Sequence, residues 1–156
     1  MVKDIGKLDA IVTVIRNWFS TLPSGVAHLT EEQHEYEHVL AVTPTNPKAC
    51  PIEFRVSYYG TFGLYLGRGF AFEDIPSSIE LVLDICESVR RGHVKEEVWE
   101  WRGKVIKTRG VLELSTRQLT DRGSNHWAAW LPVGTPRQIQ YEPWDKTNED
   151  GTRATS

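Results

Sequence analysis

Apolar residues recur at every third or fourth position in two segments of the chain, which is the spacing of one face of an α-helix. The first segment runs from Leu8 to Leu22 and is followed at once by Pro23. The second begins near Ser77, whose spacing to Glu80 matches a capping box, and ends at Gly92. The sequence therefore predicts two amphipathic helices.

Alternating apolar and polar residues predict strands in the segments between and after these helices. The clearest alternation runs from Ile52 to Tyr59. After the second helix, the segments 94–101 and 105–114 predict a long hairpin, and the segment 126–133 predicts a last strand. We therefore expect an α+β fold with a single antiparallel sheet of about five to six strands and two amphipathic helices, in the order α-β-β-β-α-β-β-β.

The domain organisation follows from length and composition. A chain of 156 residues has the size of one ordinary domain. We expect residues 1–134 to form a single α+β domain. Residues 135–156 are rich in Pro, Asn, Asp and Thr, and they predict a polar, loosely ordered C-terminal tail with Tyr141 and Trp144 as its only anchors.

Charge and cysteine content narrow the classes of function. The formal net charge is −3 and no stretch is persistently basic, which argues against a nucleic-acid partner. No apolar run is long enough to span a bilayer, and no export signal is apparent, so we predict no membrane partner and a cytoplasmic location. Cys50 and Cys86 are too few for a disulfide framework and are expected to be reduced.

One segment matches a catalytic motif. From His34 to His38 the chain satisfies the zinc-binding pattern H-E-x-x-H. On a helix these two imidazoles would share a face and hold zinc, with Glu35 as general base. The following apolar run, 39–43, favours a strand instead, in which the two side chains would be about 13 Å apart. We therefore predict no catalytic residue, no cofactor and no metal, and keep a zinc site at His34 and His38 as an alternative.

Carboxylates are concentrated in two segments of the chain, 31–37 and 96–101, and the second segment also contains two tryptophans. In a strand, alternate residues of the second segment share one side of the sheet, which puts Trp99 and Trp101 beside Glu97. Such a combination is typical of an interface that receives basic side chains. An equally weighted interpretation packs the two tryptophans beneath the first helix. The predicted partner-binding residues are Glu31, Glu32, Glu35, Glu37, Glu97, Trp99 and Trp101.

The middle third of the chain resembles small uncharacterised bacterial α+β proteins, including immunity partners of secreted toxins. The resemblance is carried by the run from Gly67 to Asp74, the capped helix, and the run from Arg91 to Trp99. It implies a stoichiometric inhibitor that blocks a toxin, often through an acidic face. It carries over no functional residue, because such proteins share no motif.

These observations predict a non-enzymatic protein-binding module whose partner is another protein with a basic surface. One alternative is a zinc-dependent hydrolase that uses His34 and His38. The other is a small-molecule-binding protein with a pocket between sheet and helices, lined by Tyr58, Tyr65 and the tryptophans.

Overall fold

The computed structural model describes residues 5–67, 70–124 and 134–145. Within them the chain is an α+β protein with two helices and two antiparallel sheets. In chain order the elements are α1 (Ile5–Ser20), β1 (Ala27–Gln33), β2 (Glu37–Pro44), β3 (Ile52–Ser57), β4 (Thr61–Leu66), β5 (Phe70–Pro76), α2 (Ile79–Arg90), β6 (Val94–Trp101), β7 (Lys104–Glu113), β8 (Gln118–Ser124) and β9 (Arg137–Gln140).

The prediction of one sheet is matched only in part, because the strands divide between two sheets. The first has the order β1-β2-β3-β4-β5 and the second the order β8-β7-β6-β9. The first sheet is not extended beyond β5 by a backbone ladder within the described residues. Instead, the Asp121 carboxylate of β8 accepts a hydrogen bond from the Ala71 amide of β5 at 3.0 Å. A side chain therefore occupies part of the edge that a further strand would need.

The hydrophobic core lies between the helices and one face of the first sheet. Leu40, Phe54 and Leu64 point into it from neighbouring strands and are fully buried. Ile15 of α1 and Ile85 of α2 meet them there and are equally buried. The register of antiparallel pairs puts polar residues of the same strands on the opposite side of the sheet, which we call the open face.

The helix predictions are confirmed, with one change at the start of α2. The N-cap is Ser78, whose hydroxyl accepts from the Leu81 amide at 3.4 Å. Ser77, the predicted cap, donates its hydroxyl to the Gly60 carbonyl at 2.7 Å. A contact with the β3–β4 loop therefore recruits Ser77 and moves the cap by one residue. Among the described residues, neither helix has the length and apolar character needed to cross a membrane.

The hairpin predicted after α2 is confirmed as β6 and β7. Its turn residues Arg102 and Gly103 both have positive φ, 50° and 78°, as a two-residue type I′ turn requires. Strands β1, β5 and β8 were not predicted as separate elements. The predicted strand at 126–133 lies outside the described residues.

The segment 137–145 differs from the predicted loose tail. Strand β9 pairs with β6 in antiparallel register, and Trp144 is buried. The Trp144 indole donates to the Cys50 carbonyl at 2.9 Å, and its backbone amide donates to the Arg90 carbonyl at 2.9 Å. Ordering this segment costs conformational entropy, which its polar composition does not offset. The pairing of β9 with β6 and the contacts of Trp144 do offset it. The rest of the predicted tail, 146–156, lies outside the described residues.

Candidate protein-binding surface

The segment with the zinc motif forms the end of a β-hairpin. Gln33 of β1 lies opposite His38 of β2, and the His34 amide donates to the Glu37 carbonyl at 2.8 Å. Glu35 and Tyr36 alone connect the two strands beyond this pair. The chain therefore turns between the two histidines, so that neither the helix of the zinc alternative nor the continuous strand that we predicted is formed there; the strand begins at Glu37.

The two histidines lie on opposite faces of the sheet. His38 is paired with the buried Val56, and its Nε2 lies 3.0 Å from the Glu31 carboxylate on the helix side. His34 lies on the open face, where its Nε2 is 3.3 Å from the Glu32 carboxylate. No three His, Cys, Asp or Glu side chains in the described ranges group closely enough to hold a metal ion. The geometry thus separates the residues that the zinc alternative requires.

Glu31 links the edge strand to the first helix. Its two carboxylate oxygens accept from Nε and Nη2 of Arg16, both at 2.7 Å. The hydrogen bond from Arg16 lowers the pKa of Glu31 to about 2, against the opposing effect of partial burial and with a smaller contribution from His38. Glu31 is therefore already engaged within the fold, through a shorter ion pair than those of Glu32, Glu37 and Glu97.

The centre of the open face holds a charged group that sequence reasoning did not assign to the site. Arg55 donates from Nε to the Glu53 carboxylate at 2.7 Å, and its Nη1 lies 3.9 Å from Glu37. The guanidinium also stacks 4.8 Å from the centre of the Tyr65 ring. The Tyr65 hydroxyl in turn donates to the Glu73 carboxylate at 3.2 Å. The alternation from Ile52 to Tyr59 had already put two of these residues on the polar side of a strand.

The strand side chains of the open face carry more negative than positive charge. Glu32, Glu37, Glu53 and Glu73 belong to it, and Arg55 is the single Lys or Arg among its described strand positions. A cleft of about 410 Å³ opens near β1 and β2, and Glu32, Glu37, Glu53 and Arg55 are among the residues that line it. Its floor includes the small residue Ala41, which leaves room above the sheet.

Two exposed tyrosines lie at the end of the sheet where this hairpin turns. Tyr36 is 58% exposed and Tyr59, in the β3–β4 loop, is 38% exposed. The Tyr58 amide donates to the Tyr36 carbonyl at 3.2 Å, so the two loops are neighbours. A hydrogen bond with Glu35 raises the pKa of Tyr36. The aromatic component next to the acidic residues is thus tyrosine, not the tryptophans that the sequence suggested.

The tryptophan cluster of the prediction lies on the second sheet. Glu97 is 3.8 Å from Arg109, and Lys107 lies 4.4 Å from the centre of the Trp99 ring. Arg102 covers Trp101 at the same distance of 4.4 Å. Because β1 and β2 belong to the first sheet, these contacts do not bring the tryptophans into one cluster with the acidic hairpin.

The residues of the predicted small-molecule pocket are also distributed differently. Tyr65 lies on the open face, away from the helices. Trp18 and Trp144 pack edge to face in the core, with ring centres 5.6 Å apart. Cys50 and Cys86 are free thiols, and burial raises the pKa of both, which makes them poor nucleophiles.

The chain matches no protein-family model, no curated protein and no solved structure. The resemblance to immunity proteins therefore stays a prediction. The open face and the β1–β2 hairpin are the best supported candidate site.

Proposed function

We propose that this chain is a non-enzymatic binding module whose open face and β1–β2 hairpin receive a protein with a basic surface. The observation that carries the proposal is the exposed excess of carboxylates on this face. The side chains of Glu32, Glu37 and Glu53 are 73%, 35% and 33% exposed. The negative potential of these carboxylates would speed the encounter with a basic partner and orient that partner before contact.

The tyrosines at the hairpin end provide apolar surface that can be buried on binding, which the carboxylates do not provide. Tyr36 and Tyr59 are large rings with few rotatable bonds, and they are exposed beside the carboxylates. Tyrosines in such positions are frequent anchors of protein interfaces, because they bury much apolar area at a low entropic cost. Binding energy would come from these rings, and specificity from the acidic cleft.

A narrower form of the proposal is an immunity-type inhibitor that blocks a toxin. It is supported by the resemblance of residues 67–99 and by the acidic character of the open face. The bacterial source and cytoplasmic location that go with it stay predictions. The hydrolase alternative is disfavoured because His34 and His38 lie on opposite faces of the sheet.

The test is complex formation with the product of the neighbouring gene, measured by calorimetry on purified proteins. Glu37→Lys should weaken the complex about tenfold or more, because it reverses a charge within the cleft. Glu113→Lys is the matched control. Each of these carboxylates lies on a strand and has one long ion pair, at 3.9 Å to Arg55 and at 3.7 Å to Lys95.

Binding that weakens for Glu37→Lys, and with added salt, but not for Glu113→Lys would support the proposal. Equal losses in both variants would contradict it. So would the absence of any complex.

A further inference from the structure

The outer edge of β1 presents backbone groups that no described strand uses. The Thr45 amide donates to the Val26 carbonyl, and the His34 amide donates to the Glu37 carbonyl, both at 2.8 Å. In an antiparallel pair such bonded residues alternate with unbonded ones. The even-numbered residues of β1 therefore bond to β2. The amides and carbonyls that point away from β2 belong to Ala27, Leu29, Glu31 and Gln33.

This edge lacks several of the features that protect a sheet from added strands, and Glu31 and Glu32 are the charged residues that it carries. Strand β1 has the sequence AHLTEEQ, without Pro, Lys or Gly, and its seven residues pair with β2 without a bulge. Natural edge strands are commonly interrupted by those residues or by bulges. The last four residues of β1 are all exposed. The edge is therefore regular, reachable and long enough to accept one more strand.

Charge distinguishes among the possible occupants. Glu32 projects from β1 on the open face, with Glu37 on the neighbouring strand. A second copy of this chain would bring its own Glu31 and Glu32 to the same edge, and like charges facing each other across strands are destabilising. On the helix side Arg16 already balances Glu31. The edge thus favours a strand with positive side chains on the open face.

We propose that the outer edge of β1 captures an extended segment of the partner, which adds to the sheet as a sixth strand with alternating basic and apolar residues. Strands in a sheet are about 4.8 Å apart, so a Lys or Arg of this segment lies directly beside Glu32. The apolar residues face the helix side, next to the half-buried Leu29. The inference rests on the proposed function and specifies how its partner binds.

The probe is a synthetic peptide of alternating Lys and Val, long enough to pair with all of β1. Hydrogen exchange of single amides, followed by NMR, reads the result. The amides of Leu29, Glu31 and Gln33 should exchange about tenfold or more slowly with peptide bound, because each gains an acceptor. Those of Thr30 and Glu32 already bond to β2 and should change little. A peptide of alternating Glu and Val should protect none of them.

A pair of variants separates the backbone from the side chain at the edge. Leu29→Pro removes an amide that points outward and leaves the ladder to β2 in place. Leu29→Ala keeps the amide but shortens the same side chain. The proline variant should bind the peptide about tenfold or more weakly than the alanine variant. If Leu29→Pro fails to fold, Gln33→Pro and Gln33→Ala repeat the comparison at the exposed end of the strand.

Three results would overturn the inference. They are equal binding of the Glu and Lys peptides, equal binding by the proline and alanine variants, and protection of the odd-numbered amides by self-association without peptide. If the neighbouring gene product binds Leu29→Pro as well as Leu29→Ala but binds Glu37→Lys weakly, the edge proposal fails and the proposed function stands. If the neighbouring gene product binds neither the unchanged chain nor any of these variants, the proposed function fails.

Discussion

Single side chains of this protein connect elements that are distant in sequence. The bidentate pair of Arg16 and Glu31 joins α1 to the edge strand. Between the helices, the Glu87 carboxylate accepts from the Trp18 indole at 2.8 Å and from Arg90 at 3.0 Å. Burial acts to raise the pKa of Glu87, but these donors outweigh it and the pKa is lowered. Both carboxylates are therefore stabilised in their charged forms.

The Arg16–Glu31 pair should make stability depend on pH. The pKa of Glu31 falls from the ordinary 4.5 to about 2 on folding. A lowered pKa stabilises the fold above the unfolded value, and this contribution is lost as pH falls from about 4.5 to about 2. Glu31→Gln should cost about 1 kcal/mol at pH 7, because solvent screens the exposed Arg16. Urea unfolding at neutral pH and near pH 2 measures the difference.

The gap between Glu31→Gln and the unchanged chain should close at the acidic end of this range. Glu113→Gln is the control, since its ion pair with Lys95 is longer, at 3.7 Å. A gap that persists near pH 2 would show that Glu31 acts through packing and not through its charge.

The two edge strands of the first sheet, β1 and β5, differ in whether other elements contact their outer edges. At β5 the Asp121 carboxylate binds the Ala71 amide, and contacts with β7 and β8 follow. At β1 no described element continues the ladder. Strand β1 thus belongs to the acidic hairpin and is also the edge strand without a further neighbour among the described residues, so the proposed binding surface combines carboxylates with outward-pointing backbone groups.

The contact between the two sheets depends on a glycine. A Cβ at Gly110 of β7 would overlap the Phe70 ring of β5. Gly110→Ala should therefore destabilise the protein by about 1–3 kcal/mol, as overpacked sites do. Gly134→Ala is the matched control, because a Cβ there meets nothing within 4 Å. Denaturant midpoints that shift equally for both variants would contradict this account of the sheet contact.

Across the whole molecule, the segment that follows β9 closes the core. Trp144 meets Trp18 of α1, the carbonyl of Arg90 at the end of α2, and the carbonyl of Cys50 before β3. Asp145 adds an ion pair to Arg90 at 3.4 Å. Both helices and the first sheet are therefore held by residues near the C-terminal end of the described chain.

Removal of this closure should have a large cost. Trp144→Ala should destabilise the fold by about 3–5 kcal/mol, because it empties a buried site of a large ring. Trp99→Ala is the comparison, since that ring is only half-buried beneath Lys107 and should cost distinctly less. Thermal unfolding of the two variants measures both. Comparable losses would mean that Trp144 is not the closing residue.

Local patterns in the chain predicted the helices, strand β3 and the β6–β7 hairpin, because each of these has a clear hydrophobic period. They missed β1, whose exposed second half has no apolar alternation to reveal it. They also missed β5, where a bulge and the positive φ of Asp74 break the period. Of the candidate site, the acidic residues at 31–37 were predicted, whereas the hairpin that they form, Glu53, Glu73 and the exposed tyrosines were not.

The sequence by itself determined the α+β class, the two helices and the strand that contains residues 39–43, since these depend on the spacing of neighbouring residues. The tertiary structure decided the division into two sheets, the placement of His34 and His38 on opposite faces, and the open edge at β1. Those features depend on contacts such as Phe70 with Gly110, which join residues far apart in the chain. The hydrophobic period of a single segment does not predict these features, because they depend on which strands pair and on how side chains from distant segments fit together.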